Sequence, residues 1–155
     1  MRLRGHPVHV MLIHFPVALW PAHAALHIFD QHLPAGAAAV AGFWCLAVGT
    51  VTGWLAAVCG ASDLFAWPPN PEPARWRAAC WHLALNGTVL TGYTLLAALE
   101  WSRYPAIAPG RGLLGFELVL LATLGVGNFF GGEIVWGGSR ATPTPDVTGN
   151  HGPSR

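Results

Sequence analysis

The chain has 155 residues, of which 53% are hydrophobic and only 10% are charged, and its formal net charge is +1. A water-soluble domain of this length needs more charged side chains to cover its surface, so the composition indicates a membrane protein. All eight basic residues are arginines, and seven acids nearly balance them. No basic face is therefore available for nucleic acid, which we do not expect as a partner.

Four apolar segments are long enough to cross a membrane, since a helix needs about 20 residues to span roughly 30 Å of hydrocarbon. They cover residues 8–29, 36–59, 78–99 and 113–131. The predicted fold is therefore all-α, an integral membrane four-helix bundle within residues 1–138. Small residues at Gly49-xxx-Gly53 and Gly127-xxx-Gly131 predict close contacts between helices. Residues 139–155 have almost no large apolar side chain and are predicted to form a disordered polar tail.

Arginines near the ends of the spans predict the orientation. With four spans, the side that holds both termini has six of the eight arginines: Arg2, Arg4, Arg75, Arg77, Arg140 and Arg155. Both termini are therefore predicted to be cytoplasmic, in the plasma membrane of a bacterium. One alternative stays open, because Arg2 and Arg4 before an apolar run loosely match a secretory signal peptide. Cleavage there would leave three spans, although histidines and a proline inside the run argue against it.

Polar residues of all four spans gather at the predicted cytoplasmic end of the bundle. His9 and His14 lie in the first span and Asp63 follows the second. His82 and Asn86 lie in the third span, and Asn128 and Glu133 lie at the end of the fourth. A polar group in lipid costs free energy unless it is paired. The agreement between helix ends therefore predicts one shared polar site.

His14 and His82 are the predicted metal ligands of this site. With a rise of 1.5 Å per residue they lie at similar depths, roughly 9 Å and 6 Å inside their spans. Parallel spans that face each other diagonally can hold a haem iron or a metal ion between two imidazoles. We therefore predict haem b or a metal ion here, with His9, Asp63 and Asn86 as cofactor-binding residues that orient the imidazoles. The alternative is two neutral histidines hydrogen-bonded to carbonyls or to Asp63 and Asn86.

Two further features of the first span bear on this site. Pro16 cannot donate a hydrogen bond to the carbonyl of Leu12, which predicts a kink near His14. His23 and His27 share a helix face, about 180° from His14, at the level of Glu117 in the fourth span. A second His/Glu cluster is one interpretation of these residues, but interfacial histidines near Asp30 and His32 are the favoured one.

The motifs resemble a known family. They are His6-Pro7-x-His9-x-x-x-x-His14-Phe15-Pro16, Gly60-x-x-Asp63, His82-x-x-x-Asn86 and Gly131-Gly132. In this order, over roughly residues 5–138, they look like the bacterial membrane family called domain of unknown function 2231. The resemblance implies a four-helix plasma-membrane protein without an assigned activity. Some relatives are fused to Rieske iron-sulfur domains, which implies an electron-transfer setting. His23, His27 and Glu117 are not part of the pattern.

Catalytic signatures for hydrolysis, nucleotide binding, zinc proteolysis or attached haem are missing, so the sequence does not indicate an enzyme. Three functional hypotheses stay open. The first is a haem- or metal-binding electron-transfer subunit, the second a structural or assembly subunit, and the third a small proton or ion transporter. The expected partners are the lipid bilayer and either a redox protein or further copies of the chain.

Overall fold

The computed structural model describes residues 2–3, 6–29, 32, 36–104 and 111–136. The helices are α1 (Val8–Leu12), α2 (His14–Phe29), α3 (Ala37–Phe65), α4 (Pro73–Trp101) and α5 (Arg111–Trp136). Ahead of them, β1 (Arg2–Leu3) and β2 (His6–Pro7) form a short antiparallel pair. The prediction of an all-α bundle is confirmed, while the predicted tail, residues 139–155, lies outside the described residues.

Three helical stretches are long and apolar enough to cross a membrane: Val8–Phe29, Ala37–Phe65 and Leu113–Trp136. Helix α4 has 29 residues, as α3 does, but it is less apolar because it contains His82, Asn86 and three threonines. The hydroxyl groups of Thr88 and Thr91 donate to carbonyls one turn back in the same helix, each at 2.9 Å. This internal pairing lets α4 face lipid at low cost. Its crossing of the membrane stays a prediction.

The helices extend beyond the apolar segments of the sequence. Helix α3 continues past residue 59 to Phe65, and α4 begins at Pro73 rather than at residue 78. Hydropathy measures the part of a helix that suits lipid, whereas local chemistry decides where the helix ends. Pro68 and Pro69 cannot continue α3, and Pro73 suits the first turn of α4, where its missing N–H is not needed.

The first span is broken, as Pro16 predicts. Helix α1 ends at Leu12, residue Ile13 is a turn, and α2 begins at His14. The hydrogen bonds Ile13 N–H to His9 O (3.1 Å) and Val17 N–H to Ile13 O (3.2 Å) hold the chain on either side of the break. The disturbance predicted near His14 is therefore present as a one-residue interruption of the helix at Ile13, while a kink of the axis stays a prediction.

The helices form two hairpins. In the first, α1 and α2 pack on α3, and in the second, α4 packs on α5; the hairpins meet through α3 with α4 and α2 with α5. The core between them contains Trp20, Leu46, Val89, Leu90, Tyr93, Leu96, Leu120 and Leu124. At its centre the rings of Trp20 and Tyr93 stack with their centroids 4.1 Å apart and their planes 6° from parallel. The diagonal helices α2 and α4 therefore touch directly.

The outer surface of the bundle is apolar. Large hydrophobic side chains with more than 60% of their surface exposed include Val51, Val58, Leu95, Val119 and Phe129. A soluble monomer rarely exposes so much contiguous apolar surface. The surface suits contact with lipid, in agreement with the apolar lengths of the helices.

Glycines allow the close approach of the helices, as the Gly49 and Gly127 motifs predict. A Cβ on Gly49 would lie 2.9 Å from Nε1 of Trp20, and one on Gly53 would lie 3.0 Å from Leu90. In contrast, a Cβ on Gly87 would meet nothing within 4 Å.

We expect Gly49→Ala to lower the free energy of unfolding by about 1–3 kcal/mol, because the added methyl displaces Trp20 from a packed core. Gly87→Ala is the matched control in another helix interior, and it should be neutral or stabilising by up to about 1 kcal/mol. Unfolding of detergent-solubilised protein by SDS would measure both. Equal effects of the two substitutions would contradict the packing described for Gly49.

Candidate functional site

Four of the predicted site residues lie where the sequence places them, at one end of the bundle. The Nδ1–H of His9 donates to the carbonyl of Ala56 at 2.7 Å, and that of His82 donates to the carbonyl of Gly127 at 2.9 Å. The two imidazole centroids are 6.4 Å apart and the rings are nearly perpendicular. The side-chain amide of Asn86 donates to the carbonyl of His82 at 3.0 Å. Asp63 is half-buried in the last turn of α3.

His14 is not part of this group. Its side chain is exposed on the bundle surface, and the imidazole beside His82 is that of His9. His9 and His14 are five positions apart, which at 100° per residue puts their side chains about 140° apart around the helix, so only one of them can face His82. A metal held by His14 and His82 stays a prediction, and this arrangement does not favour it.

The motif glycines Gly60 and Gly131 lie against these imidazoles. A Cβ on Gly60 would be 3.0 Å from His9, and a Cβ on Gly131 would be 3.0 Å from His82. The remaining motif residues differ in their surroundings. Pro16 is buried, Phe15 is exposed, a Cβ on Gly132 would meet nothing within 4 Å, and His6 and Pro7 form β2.

A second polar group lies at the opposite end of the bundle, and we call it the buried His/Glu cluster. It consists of His23 and His27 from α2, Glu100 from α4 and Glu117 from α5, and none of the four side chains exposes more than 4% of its surface. The interpretation of His23 and His27 as interfacial histidines is therefore wrong, and the alternative of a His/Glu cluster is confirmed.

Imidazole nitrogens and carboxylate oxygens converge in the buried His/Glu cluster. Nε2 of His23 lies 3.3 Å from Oε1 of Glu100 and 3.5 Å from Oε1 of Glu117. Nε2 of His27 is 3.7 Å from Oε1 of Glu100, and its Nδ1 is 3.8 Å from Oε2 of Glu117. One ligand atom from each of His23, His27 and Glu117 can be chosen so that all lie within 4.8 Å of one another.

The backbone fixes the tautomer of His23. Its Nδ1 lies 3.0 Å from the carbonyl of Gly42, and because a carbonyl only accepts, Nδ1 carries the hydrogen. In the neutral ring, Nε2 is then a lone-pair acceptor that faces two carboxylates. Among the described residues, Nε2 of His23, Oε2 of Glu100 and Oε1 of Glu117 are buried and have no hydrogen-bond partner. Acceptors that face acceptors in an apolar interior require a bound cation or extra protons.

Aromatic side chains pack beside this cluster. The ring centroid of Phe43, the neighbour of Gly42, lies 5.8 Å from that of Trp101 and 4.7 Å from that of Tyr104. Trp101 directly follows Glu100 in the chain. This apolar packing strengthens the electrostatic interactions of the cluster because it lowers the local dielectric.

The sequence carries a signal for this cluster that the motif analysis missed. In the first span, Trp20 and His27 follow His9 by 11 and 18 residues, and in the third span Tyr93 and Glu100 follow His82 by the same intervals. These spacings are about three and five helical turns, so each trio lies on one helix face. Glu100 was missed because it lies at the end of the apolar segment and looks like part of a polar link.

The matching spacings reflect a structural repeat of the two hairpins. His9 contacts His82, Trp20 stacks on Tyr93, and His27 lies beside Glu100; the members of every pair are 73 positions apart. The carbonyl partners Ala56 and Gly127 are 71 positions apart, as are the packed glycines Gly60 and Gly131. Equivalent residues of the hairpins therefore meet along one axis that runs from one end of the bundle to the other.

Comparison with known proteins agrees with these motifs. The family model described as "Predicted membrane protein (DUF2231)" matches residues 5–142. The chain belongs to this family. The resemblance drawn from the sequence is thus confirmed. The description of the family names no activity. The comparisons with curated proteins and with solved structures found no match.

We expect His23→Ala to lower the free energy of unfolding of the DUF2231 protein by about 3–5 kcal/mol, since it leaves two carboxylates buried without their imidazole. His14→Ala is the matched control in the same helix, and because His14 is exposed it should change the value by less than about 0.5 kcal/mol. SDS titration in detergent micelles would measure both. Comparable losses would mean that the cluster does not contribute to stability in this way.

Proposed function

We propose that this protein binds a divalent transition-metal ion in the buried His/Glu cluster, within the membrane. The observation that carries the proposal is the Nε2 atom of His23. It is fully buried, it is a lone-pair acceptor in the neutral ring because the Gly42 carbonyl takes the hydrogen of Nδ1, and two carboxylate oxygens lie at 3.3 and 3.5 Å. An imidazole whose other nitrogen donates to a backbone carbonyl is the usual arrangement of a metal-binding histidine.

The distances support a single ion. Metal–ligand bonds of about 2.0–2.1 Å in a tetrahedral site put the ligand atoms roughly 3.3 Å apart. The three contacts between histidine Nε2 atoms and carboxylate Oε1 atoms measure 3.3, 3.5 and 3.7 Å. His23, His27 and Glu117 would supply three ligand atoms, and Glu100, which lies beside both histidines, would supply the second negative charge.

The charges support a divalent ion. Glu100 and Glu117 together carry two negative charges, and an ion of charge +2 would make the cluster neutral in its apolar surroundings. Unpaired charge there would be costly. A mixed set of imidazole and carboxylate ligands suits Zn²⁺ and Fe²⁺, and a pair of histidines with a carboxylate is a common Fe²⁺ site. With iron, the site would be an electron-transfer centre, whereas zinc would make it structural.

The arginine distribution supports a location in a bacterial plasma membrane, with both termini in the cytoplasm. The His9 end of the bundle would then face the cytoplasm, and the buried His/Glu cluster would lie in the outer leaflet. A redox partner would approach the cluster from the external side.

Titration with Zn²⁺ would test the proposal directly. All proteins in the test should have Cys45, Cys59 and Cys80 replaced by alanine, because free thiols also bind this metal. The protein should bind one Zn²⁺ per chain, and Co²⁺ in its place should give the visible absorption of a tetrahedral site. Glu117→Gln should weaken binding by at least about 100-fold, because it removes a ligand and its charge.

Glu133→Gln is the matched control, since it makes the same change in α5 at the opposite end of the bundle. It should leave the Zn²⁺ affinity within about threefold of the original value. Absence of Zn²⁺ and Fe²⁺ binding, or equal binding by the Glu117→Gln protein, would overturn the proposal. The cluster would then be a network held together by shared protons.

A further inference from the structure

The second inference concerns the opposite end of the repeat axis. His9 and His82 have equivalent surroundings in the two hairpins. Each Nδ1–H donates to a carbonyl of the partner helix, and each ring has Nδ1 and Cε1 at 3.0 Å from the Cβ position of a glycine. The two imidazoles are therefore held in the same way by their own hairpins and meet between them.

The backbone leaves one coordinating nitrogen on each ring. Since Nδ1 of His9 and Nδ1 of His82 both face carbonyl oxygens, both carry hydrogens, and both Nε2 atoms keep their lone pairs. The amide nitrogen of Asn86 lies 3.2 Å from Nδ1 of His82 but donates to the backbone carbonyl of His82 at 3.0 Å, so it does not compete for the hydrogen of Nδ1. In the neutral rings, each imidazole of the pair therefore offers one acceptor, its Nε2 atom.

The separation of the rings fits one shared ion. An imidazole nitrogen lies about 1.1 Å from the ring centre and a metal–nitrogen bond is about 2.0 Å, so two rings on opposite sides of an ion have centres roughly 6.2 Å apart. The observed separation is 6.4 Å, with the ring planes 85° apart. A linear two-nitrogen centre needs no other ligand.

The surroundings of the pair favour a monovalent ion. The two imidazoles contact five uncharged residues: Ala56, Gly60, Gly127, Gly131 and Asn86. A divalent ion held by two neutral nitrogens would keep its full charge at the edge of an apolar bundle, and a monovalent ion costs much less.

We infer that His9 and His82 form a second metal site, which takes a monovalent ion of the Cu⁺ class in linear coordination between the two Nε2 atoms. This site is independent of the buried His/Glu cluster, because the two groups share no residue. His9 and His27 are 18 positions apart, which corresponds to roughly 27 Å along the helices. The two sites therefore lie near opposite faces of the membrane.

Silver ion is the suitable probe, since it shares the charge and the linear preference of Cu⁺ and does not change oxidation state. The chain lacking Cys45, Cys59 and Cys80 should again be used, because thiols bind silver strongly. Equilibrium dialysis with elemental analysis should give one Ag⁺ per chain, and X-ray absorption should give two nitrogen ligands.

His9→Asn and His82→Asn are the decisive variants. An asparagine amide can occupy the position of Nδ1–H and keep the hydrogen bond to Ala56 or Gly127, but it removes Nε2. Each variant should remain folded and bind Ag⁺ at least about 100-fold more weakly. His14→Asn, the exposed control in the same span, and Glu117→Gln should bind Ag⁺ as the parent does.

Two results would overturn the second site. One is Ag⁺ binding that survives in the folded His9→Asn and His82→Asn proteins. The other is a Soret band that disappears in these variants, because it would assign the pair to haem rather than to a bare ion. If the Glu117→Gln protein loses Zn²⁺ binding but still binds Ag⁺, the two sites are independent. The failure of one proposal can then be told apart from the failure of the other.

Discussion

The bundle depends on hydrogen bonds from histidine side chains to backbone carbonyls of neighbouring helices. His9 donates to Ala56, His23 to Gly42 and His82 to Gly127, and each bond crosses from one helix of a hairpin to the other. A histidine among apolar helices needs such a partner, because an unpaired N–H in lipid costs several kcal/mol, of the order of a lost hydrogen bond or more. The bond also requires close approach, and glycines at the contacts provide the space.

The same interaction prepares both candidate sites. When the backbone takes the hydrogen of Nδ1, the lone pair of Nε2 in a neutral ring is left available to a ligand. At one end it meets the carboxylates of Glu100 and Glu117, and at the other end two imidazoles meet each other. The same hydrogen bonds therefore hold the helices together and leave the histidines able to bind a ligand. Loss of a histidine would affect both the packing of the helices and the binding of a ligand. Substitutions such as His9→Asn, which keep an N–H donor for the backbone carbonyl, separate these two effects.

Much of the fold could be predicted from the sequence, because membrane length and hydropathy constrain it strongly. The four apolar segments, the break caused by Pro16 and the glycine contacts all follow from local chemistry. The choice between His9 and His14 could not be made in this way. Periodicity puts the two histidines about 140° apart around the helix, so only one of them can face the third span, but it does not say which. Glu100 was hidden for another reason, since a glutamate at the end of an apolar run looks identical whether it faces water or the interior.

The repeat of the hairpins was also hidden, since most equivalent positions share chemistry rather than residue identity: His9 with His82 and Gly60 with Gly131 are the same residue type, but the other pairs are not. Trp20 and Tyr93, which stack at the middle of the axis, share only flat aromatic rings. This stack closes the centre of the bundle. An ion that moved from one end of this axis to the other would have to part the two rings, so the stack separates the polar groups at the two ends.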